Sequence, residues 1–322
     1  MGKLENIISI FCAAFGLVYL AAVEAERSPI KLAFDVYSPP TEEGINFPPI
    51  ILVHGLFDSK ESWKHIAPVI ANETGRKIYA IDLRNHGESP WVEEINFDVI
   101  ADDLEGFVNQ HNISKSVLIG HSMGGKGALT FALRKPEKVE KLLIEDIPVS
   151  NITFIPQGLA RLLLRLLRKS LQVIPPGTEQ REAQNIFTEF IKGKLPDEIV
   201  PCQMKYFDLL PIKLSEGKYS WKTNIDAIER NIMSGNGITT FGQDLSSYEP
   251  YPGDALFIYG TKSVFNVEKD ELILKYFPRS TKLGFVGATH LIHQEYEEDF
   301  SREAIHFTNG RFKPKKTKCE ED

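Results

Sequence analysis

The sequence predicts an α/β protein: a mostly parallel sheet with helices on both faces. Three observations carry this. Short apolar runs alternate with helical stretches over residues 26–150, the alternation breaks into helical stretches over 151–245, and it resumes over 246–312. The apolar runs are nearly continuous, as buried parallel strands require.

The elements follow in order. Ile30, Leu32, Phe34 and Val36 alternate with Lys31, Ala33, Asp35 and Tyr37, the period of a half-buried strand. Pro39-Pro40 and the stretch from Glu42 to Asn46 turn the chain. Ile50 to Val53 is a short apolar strand ending at His54-Gly55. Ser62 to Thr74 predicts a helix, Ile78 to Leu83 a strand, Phe97 to Asn109 a helix and Ser116 to Ile119 a strand. Gly124 to Arg134 predicts a helix and Leu142 to Ile147 a strand.

Residues 151–245 hold no buried strand. Gly158 to Val173 sets Leu159, Leu162, Leu163, Leu166 and Leu167 opposite Arg161, Arg165, Arg168 and Lys169. The leucines are expected to face inward; on the other face the arginines could meet an anionic lipid surface. Further helices are expected over Glu179 to Ile191 and near Gln203 to Leu210, with a short hairpin of Ile212 to Leu214 and Tyr219 to Trp221 about Gly217. The α/β rhythm returns with a strand Ala255 to Tyr259, a helix near Lys269 to Tyr276, a strand Lys282 to Val286 and a helix from Glu297 to His306. The charged tail, 313–322, is expected to be disordered. The chain thus divides into a core, 26–150 with 246–312, and a helical lid, 151–245. Such a lid would overhang the carboxyl ends of the strands, where ligands bind in open α/β sheets.

Composition sets bounds. At 322 residues, with 42% hydrophobic and 25% charged residues, the chain can bury an ordinary core. A net charge of -7 gives no basic surface for nucleic acid. Ile7 to Val23 is uninterrupted by charge, Lys3 precedes it, and Val23 and Ala25 place small residues where a signal peptidase reads. Residues 1–25 therefore read as a secretory signal peptide or, uncleaved, an anchor, so the expected location is secreted or in an endomembrane lumen. A mitochondrial transit peptide is the alternative; the lack of Arg before Arg27 and the presence of Glu5 argue against it. The triplets beginning at Asn72, Asn112 and Asn151 permit glycosylation. Cys12 lies in the apolar run, leaving Cys202 and Cys319, so this is no disulfide scaffold.

Gly120-His121-Ser122-Met123-Gly124 follows a strand and opens a helix. A sharp strand-to-helix turn requires glycine on both sides and lifts the serine hydroxyl out of the sheet. Ser122 is therefore the candidate nucleophile. Its candidate base is His290, in Gly287-Ala288-Thr289-His290 after the last strand. His293 reads as structural or exposed, and His54 and His86 as shaping their loops. An oxyanion hole needs two backbone N–H groups. Met123 would supply one, and Leu56, with Phe57 as second choice, the other. The usual place for the acid, Tyr259 to Val264, contains no Asp or Glu. Asp146 at the preceding strand end is the first candidate, and Asp226, where N-capping is the simpler role, the second. Asp82 and Glu145 are less suited, Glu145 because it faces away from Asp146. No metal-ligand spacing, P-loop or dinucleotide fingerprint is present, so no cofactor is expected.

These motifs resemble the α/β-hydrolase superfamily, and within it the abhydrolase-eleven-like sn-1-specific diacylglycerol lipases with their bacterial esterase relatives. The resemblance rests on His54-Gly55-Leu56-Phe57 with Ser59-Lys60, on Asp82 to Ser89, and on Gly120 to Lys126. Glu145 to Pro148, Tyr219 to Ala227 and Gly287 to His293 match more loosely. It implies the α/β-hydrolase fold, with an eight-stranded-type sheet and the lid inserted after the sixth strand. It also implies esterase or lipase activity on acylglycerols. The mammalian relative is mitochondrial, so location does not carry over to this amino terminus.

The function expected is therefore hydrolysis of carboxylic esters with apolar acyl chains, with a lipid or ester as partner and transient contact of the lid with a lipid surface. The alternative is a lipid or hormone carrier that kept the fold without the chemistry. Epoxide or halide chemistry would need aspartate where Ser122 stands.

Overall fold

The computed structural model describes residues 29–40, 47–151, 157–192, 194, 207–234 and 244–312. The expected signal peptide or anchor, the tail 313–322 and all three cysteines lie outside the described residues. No helix among the described residues is long and apolar enough to cross a membrane.

Along the chain run β1 (Phe34–Tyr37), β2 (Ile50–Val53), α1 (Ala67–Thr74), β3 (Ile78–Ile81), α2 (Phe97–Gln110), β4 (Ser116–His121), α3 (Ser122–Arg134) and β5 (Val139–Glu145). Then come α4 (Gln157–Gln172), α5 (Gln180–Ile191), β6 (Ile212–Ser215), β7 (Lys218–Trp221) and α6 (Ile225–Ser234). The chain closes with β8 (Asp254–Gly260), α7 (Leu272–Tyr276), β9 (Ser280–Phe285), α8 (Ile292–Glu295) and α9 (Glu297–Thr308). Seven strands form one sheet in the order β1-β3-β2-β4-β5-β8-β9, while β6 and β7 pair as a separate antiparallel hairpin. Among the described residues, only β1 is antiparallel in the large sheet.

Side-chain parity divides the core into two layers. On one face lie Ile51 and Val53 of β2, Leu118 of β4, Leu142 and Ile144 of β5, and Ala255 and Phe257 of β8, covered by α2 and α3. On the other lie Ile50 and Leu52, Val117 and Ile119, Leu143, and Leu256 and Ile258, covered by α1 and α9. Each fully buried aliphatic side chain of this kind contributes about 1.5–3 kcal/mol. A third cluster, including Leu166, Ala183, Phe187, Phe207 and Leu210, holds the segment between β5 and β8 together.

The structure departs from expectation in four places. Seven strands, not eight, are described, and the helical segment follows the fifth of them in the chain, not the sixth. The helix expected over Ser62 to Thr74 breaks into a 3-10 turn, Lys60–Trp63, and α1. Pro68 is the reason: it has no N–H to donate and clashes with the carbonyl four residues back, so it sits in the first turn of a new helix. Of the third helix expected near Gln203 to Leu210, residues 203–206 lie outside the described residues, and Phe207–Leu209 form a 3-10 turn. Leu162, expected to face inward, is 43% exposed. Packing of α4 on α6, where Arg168 pairs with Asp226 and Glu229, turns Leu162 out beside exposed Arg161 and Arg165.

A buried ion pair fixes the loop after β3. Arg84 donates from Nε and Nη2 to the two carboxylate oxygens of Asp103 on α2, at 2.6 and 2.8 Å, and neither side chain is exposed. Removing one partner strands the other charge without water. Asp103→Ala should therefore lower unfolding free energy by about 3–5 kcal/mol. Asp226→Ala, breaking an exposed pair, should cost about 1 kcal/mol or less. Urea unfolding of the two variants checks the contrast, and equal losses would contradict it.

Candidate active site

Strands β4, β5, β8 and β9 are neighbours and parallel, so their carboxyl ends open on one crevice. Ser122 follows β4 directly and opens α3 at φ +51°, a left-handed conformation costly for a residue with a Cβ. The flanking glycines make the turn feasible. A Cβ at Gly120 would lie 2.8 Å from Gly125 Cα, and one at Gly124 2.3 Å from the His54 carbonyl oxygen. Asp146 leaves β5 in the same unusual backbone region, at φ +50°.

The structure brings Ser122, His290 and Asp146 together. His290 Nε2 lies 2.9 Å from Ser122 Oγ, and His290 Nδ1 lies 2.7 Å from Asp146 Oδ2. A carboxylate only accepts, so Nδ1 carries the proton and Nε2 presents a lone pair to the serine hydroxyl. Asp146 is fully buried, Ser122 is 5% exposed, and the side chain of His290 is 26% exposed. The imidazole is thus the most open of the three groups.

The loop that lacks a carboxylate supports that of Asp146 instead. Gly260 N–H donates to Asp146 Oδ1 at 3.0 Å, and the Ser263 hydroxyl donates to Oδ2. With His290, three donors meet one buried carboxylate. Phe265, two residues beyond Ser263, lies against the His290 ring with centroids 4.3 Å apart and the planes tilted by 31°.

Beside Ser122, Met123 N–H lies in the first turn of α3, where no intrahelical acceptor exists. Phe57, the second choice beside Leu56, is occupied: its N–H donates to His86 Nε2 at 3.2 Å. Among the described residues no acceptor stands on the Leu56 N–H. Asp226 lies elsewhere, in the first turn of α6, 71% exposed and paired with Arg168. Asp82 is buried at the Lys60 ammonium, 3.2 Å away, and shapes its loop.

A family model described as alpha/beta hydrolase fold matches residues 48–295. The chain belongs to the α/β-hydrolase family. It is 31% identical to the sn-1-specific diacylglycerol lipase ABHD11 of Danio rerio over 301 residues, covering 92% of this chain and 89% of that one. It is 26% identical to ethanol acetyltransferase 1 of Cyberlindnera fabianii, with 84% of each chain covered. Among solved structures, a marine microorganism esterase superposes with a TM-score of 0.68 at 30% identity, covering 86% of this chain and 99% of that one.

Within this α/β-hydrolase, two residues that were not sequence candidates also support the site, Ser263 and His121. A serine in an acid-free loop after β8 was the available signal for the first. His121 Nε2–H donates to the His290 carbonyl at 2.9 Å, anchoring the backbone of the candidate base. Burial, with the His290 and His293 rings nearby, holds His121 well below the ordinary imidazole range, so it is neutral.

His54 and His86 brace the loops after β2 and β3. His54 Nδ1–H donates to Gly55 O at 2.7 Å and Nε2 accepts Leu83 N–H at 3.0 Å. His86 donates to Arg84 O at 2.9 Å and accepts Phe57 N–H through Nε2. Both acceptor roles require neutral rings. Burial lowers His54 to about 4, and burial with the neighbouring His54 lowers His86 to about 3. A depressed folded-state pKa means that this stability is present above the ordinary imidazole value of 6.5 and lost as pH falls through the folded values. The urea midpoint should therefore drop as pH falls from 6.5 towards 4. His54→Gln, which keeps an acceptor but cannot titrate, should flatten that drop; an unchanged slope would contradict the assignment.

Proposed function

We propose that this chain is a serine esterase that cleaves carboxylic esters with apolar acyl chains, acylglycerols among them, through an acyl-enzyme on Ser122. The observation that carries the reading is the unbroken hydrogen-bond chain from Ser122 Oγ through the His290 ring to the buried Asp146 carboxylate. The likeness to a diacylglycerol lipase supports the choice of substrate. Half-buried Leu56, Phe57 and Phe265, on loops beside the reacting groups, offer apolar surface to an acyl chain.

In the first half-reaction Ser122 Oγ attacks the ester carbonyl as His290 Nε2 takes the hydroxyl proton. Asp146 holds the tautomer that makes this transfer available and stabilises the imidazolium. Leu56 and Met123 N–H groups hold the developing oxyanion. Collapse breaks the ester C–O bond, and the departing alcohol takes the proton from Nε2. In the second half-reaction water attacks the acyl-serine, its proton passing to Nε2 and then to Ser122 Oγ, which releases the carboxylic acid. An alcohol in place of water would give a new ester, the outcome the acetyltransferase relative's name describes.

On soluble p-nitrophenyl esters, Ser122→Ala should lower kcat by at least about 10⁴-fold. Asp146→Asn should lower it on the order of 10³–10⁴-fold, because the amide no longer enforces the tautomer. Asp226→Asn should leave it within about twofold, since that residue is an exposed ion-pair partner. Product analysis with a diacylglycerol substrate, with and without ethanol, distinguishes hydrolysis from acyl transfer. Full turnover by Ser122→Ala would refute the reading.

A further inference from the structure

Beside the Asp146–His290 pair lies a second carboxylate–imidazole pair that the chemistry above does not use. Glu145 precedes Asp146, and His293 follows His290 by three residues. Consecutive residues at a strand end leave on opposite faces. Asp146 therefore turns to the crevice, while Glu145 turns to the layer containing Trp63, Ile292 and Phe300. There Glu145 Oε1 accepts the His293 backbone N–H at 2.9 Å, and Oε2 accepts from His293 Nδ1 at 2.8 Å. Both side chains are completely buried. Trp63 stacks on the His293 ring at 4.3 Å, and His121 meets it edge-on at 5.2 Å.

We infer that the Glu145–His293 pair is a positioning device for His290, setting the turn that carries the base against the strand end that supplies its acid. The inference rests on the esterase reading. Glu145-Asp146 grips residues 293 and 290 on its two sides, so a displacement of the turn that carries the base strains both contacts. Three further bonds hold the same turn: His121 donates to the His290 carbonyl, and the Thr289 N–H, at 2.7 Å, and the Thr289 hydroxyl both donate to the Glu295 carboxylate.

Stability alone does not account for a sealed ion pair. Two apolar side chains of similar volume often serve a core as well or better. What an ion pair adds is direction, since it fixes both a backbone N–H and a ring. Burial by itself would push His293 down, but the Glu145 carboxylate, with Asp58 and Glu297 behind it, holds it above the ordinary imidazole value. His293 is therefore biased towards its protonated form.

The test compares Glu145→Gln, which keeps an acceptor for the residue-293 N–H, with Glu145→Ala, which does not. Competent sites are counted with a fluorophosphonate, and kinetics are read on a soluble p-nitrophenyl ester below the melting temperature. Glu145→Ala should lower kcat per competent site by about tenfold or more, with KM within about twofold, because small misplacements of a base are costly. Glu145→Gln should restore most of that loss. If Glu145→Ala does not fold, Glu145→Leu/His293→Leu replaces the pair by apolar volume; its stability should recover while its kcat stays low. Wild-type kcat per competent site in Glu145→Ala or in the double leucine variant, whatever the melting temperature, would overturn the positioning role alone. Failure of the fluorophosphonate to modify Ser122 in the unaltered chain would overturn the esterase reading and this inference with it.

Discussion

A carboxylate without solvent must be fully satisfied by its neighbours, and at Asp146 that requirement organises the crevice. Its two oxygens receive Gly260 N–H, the Ser263 hydroxyl and His290 Nδ1–H. Left unpaired in such a place, an ionised group would cost several kcal/mol. The loop after β8 and the turn after β9 are thus drawn to the end of β5. The imidazole must also present its protonated nitrogen to the acid, which leaves the other nitrogen for Ser122. One electrostatic constraint therefore sets loop position, ring orientation and tautomer together.

The same economy recurs around the site. Lys60 meets Asp82, Arg84 meets Asp103 and Glu145 meets His293, each with its charged atoms withdrawn from water. Each pair links segments distant in sequence: the loop after β2 to the end of β3, the loop after β3 to α2, and the end of β5 to α8. Histidines held neutral by burial serve elsewhere as donor and acceptor at once, as His54 does between Gly55 O and Leu83 N–H. Charge and neutrality are both used to hold loops at the carboxyl edge, where backbone in irregular conformations would otherwise be free to move.

Much of this was legible in the amino-acid sequence, for identifiable reasons. The elbow around Ser122 combines a strand, two obligatory glycines and a helix start within a few residues, so local chemistry suffices to place it. Asp146 and His290 are at strand ends, and strand ends converge in a parallel sheet whatever the intervening chain does. Ser263 was missed because its role depends on a carboxylate from another strand. That His86 occupies the Phe57 N–H is not legible locally, because the contact spans 29 residues. Leu162 misled because periodicity in α4 cannot show that Arg168 is drawn to Asp226 and Glu229 on another helix. Pro68 was a local signal that the apolar pattern of Ser62 to Thr74 overrode.

The central claim is that the Ser122 hydroxyl is made nucleophilic by an imidazole whose orientation Asp146 enforces. Peptide mapping by mass spectrometry after brief exposure to a fluorophosphonate tests this most directly, comparing the unaltered chain with Asp146→Asn and His290→Ala. The account predicts a single adduct on Ser122, forming rapidly in the unaltered chain and slowly in both variants. An adduct on another residue, or equal rates on Ser122 in all three, would contradict it.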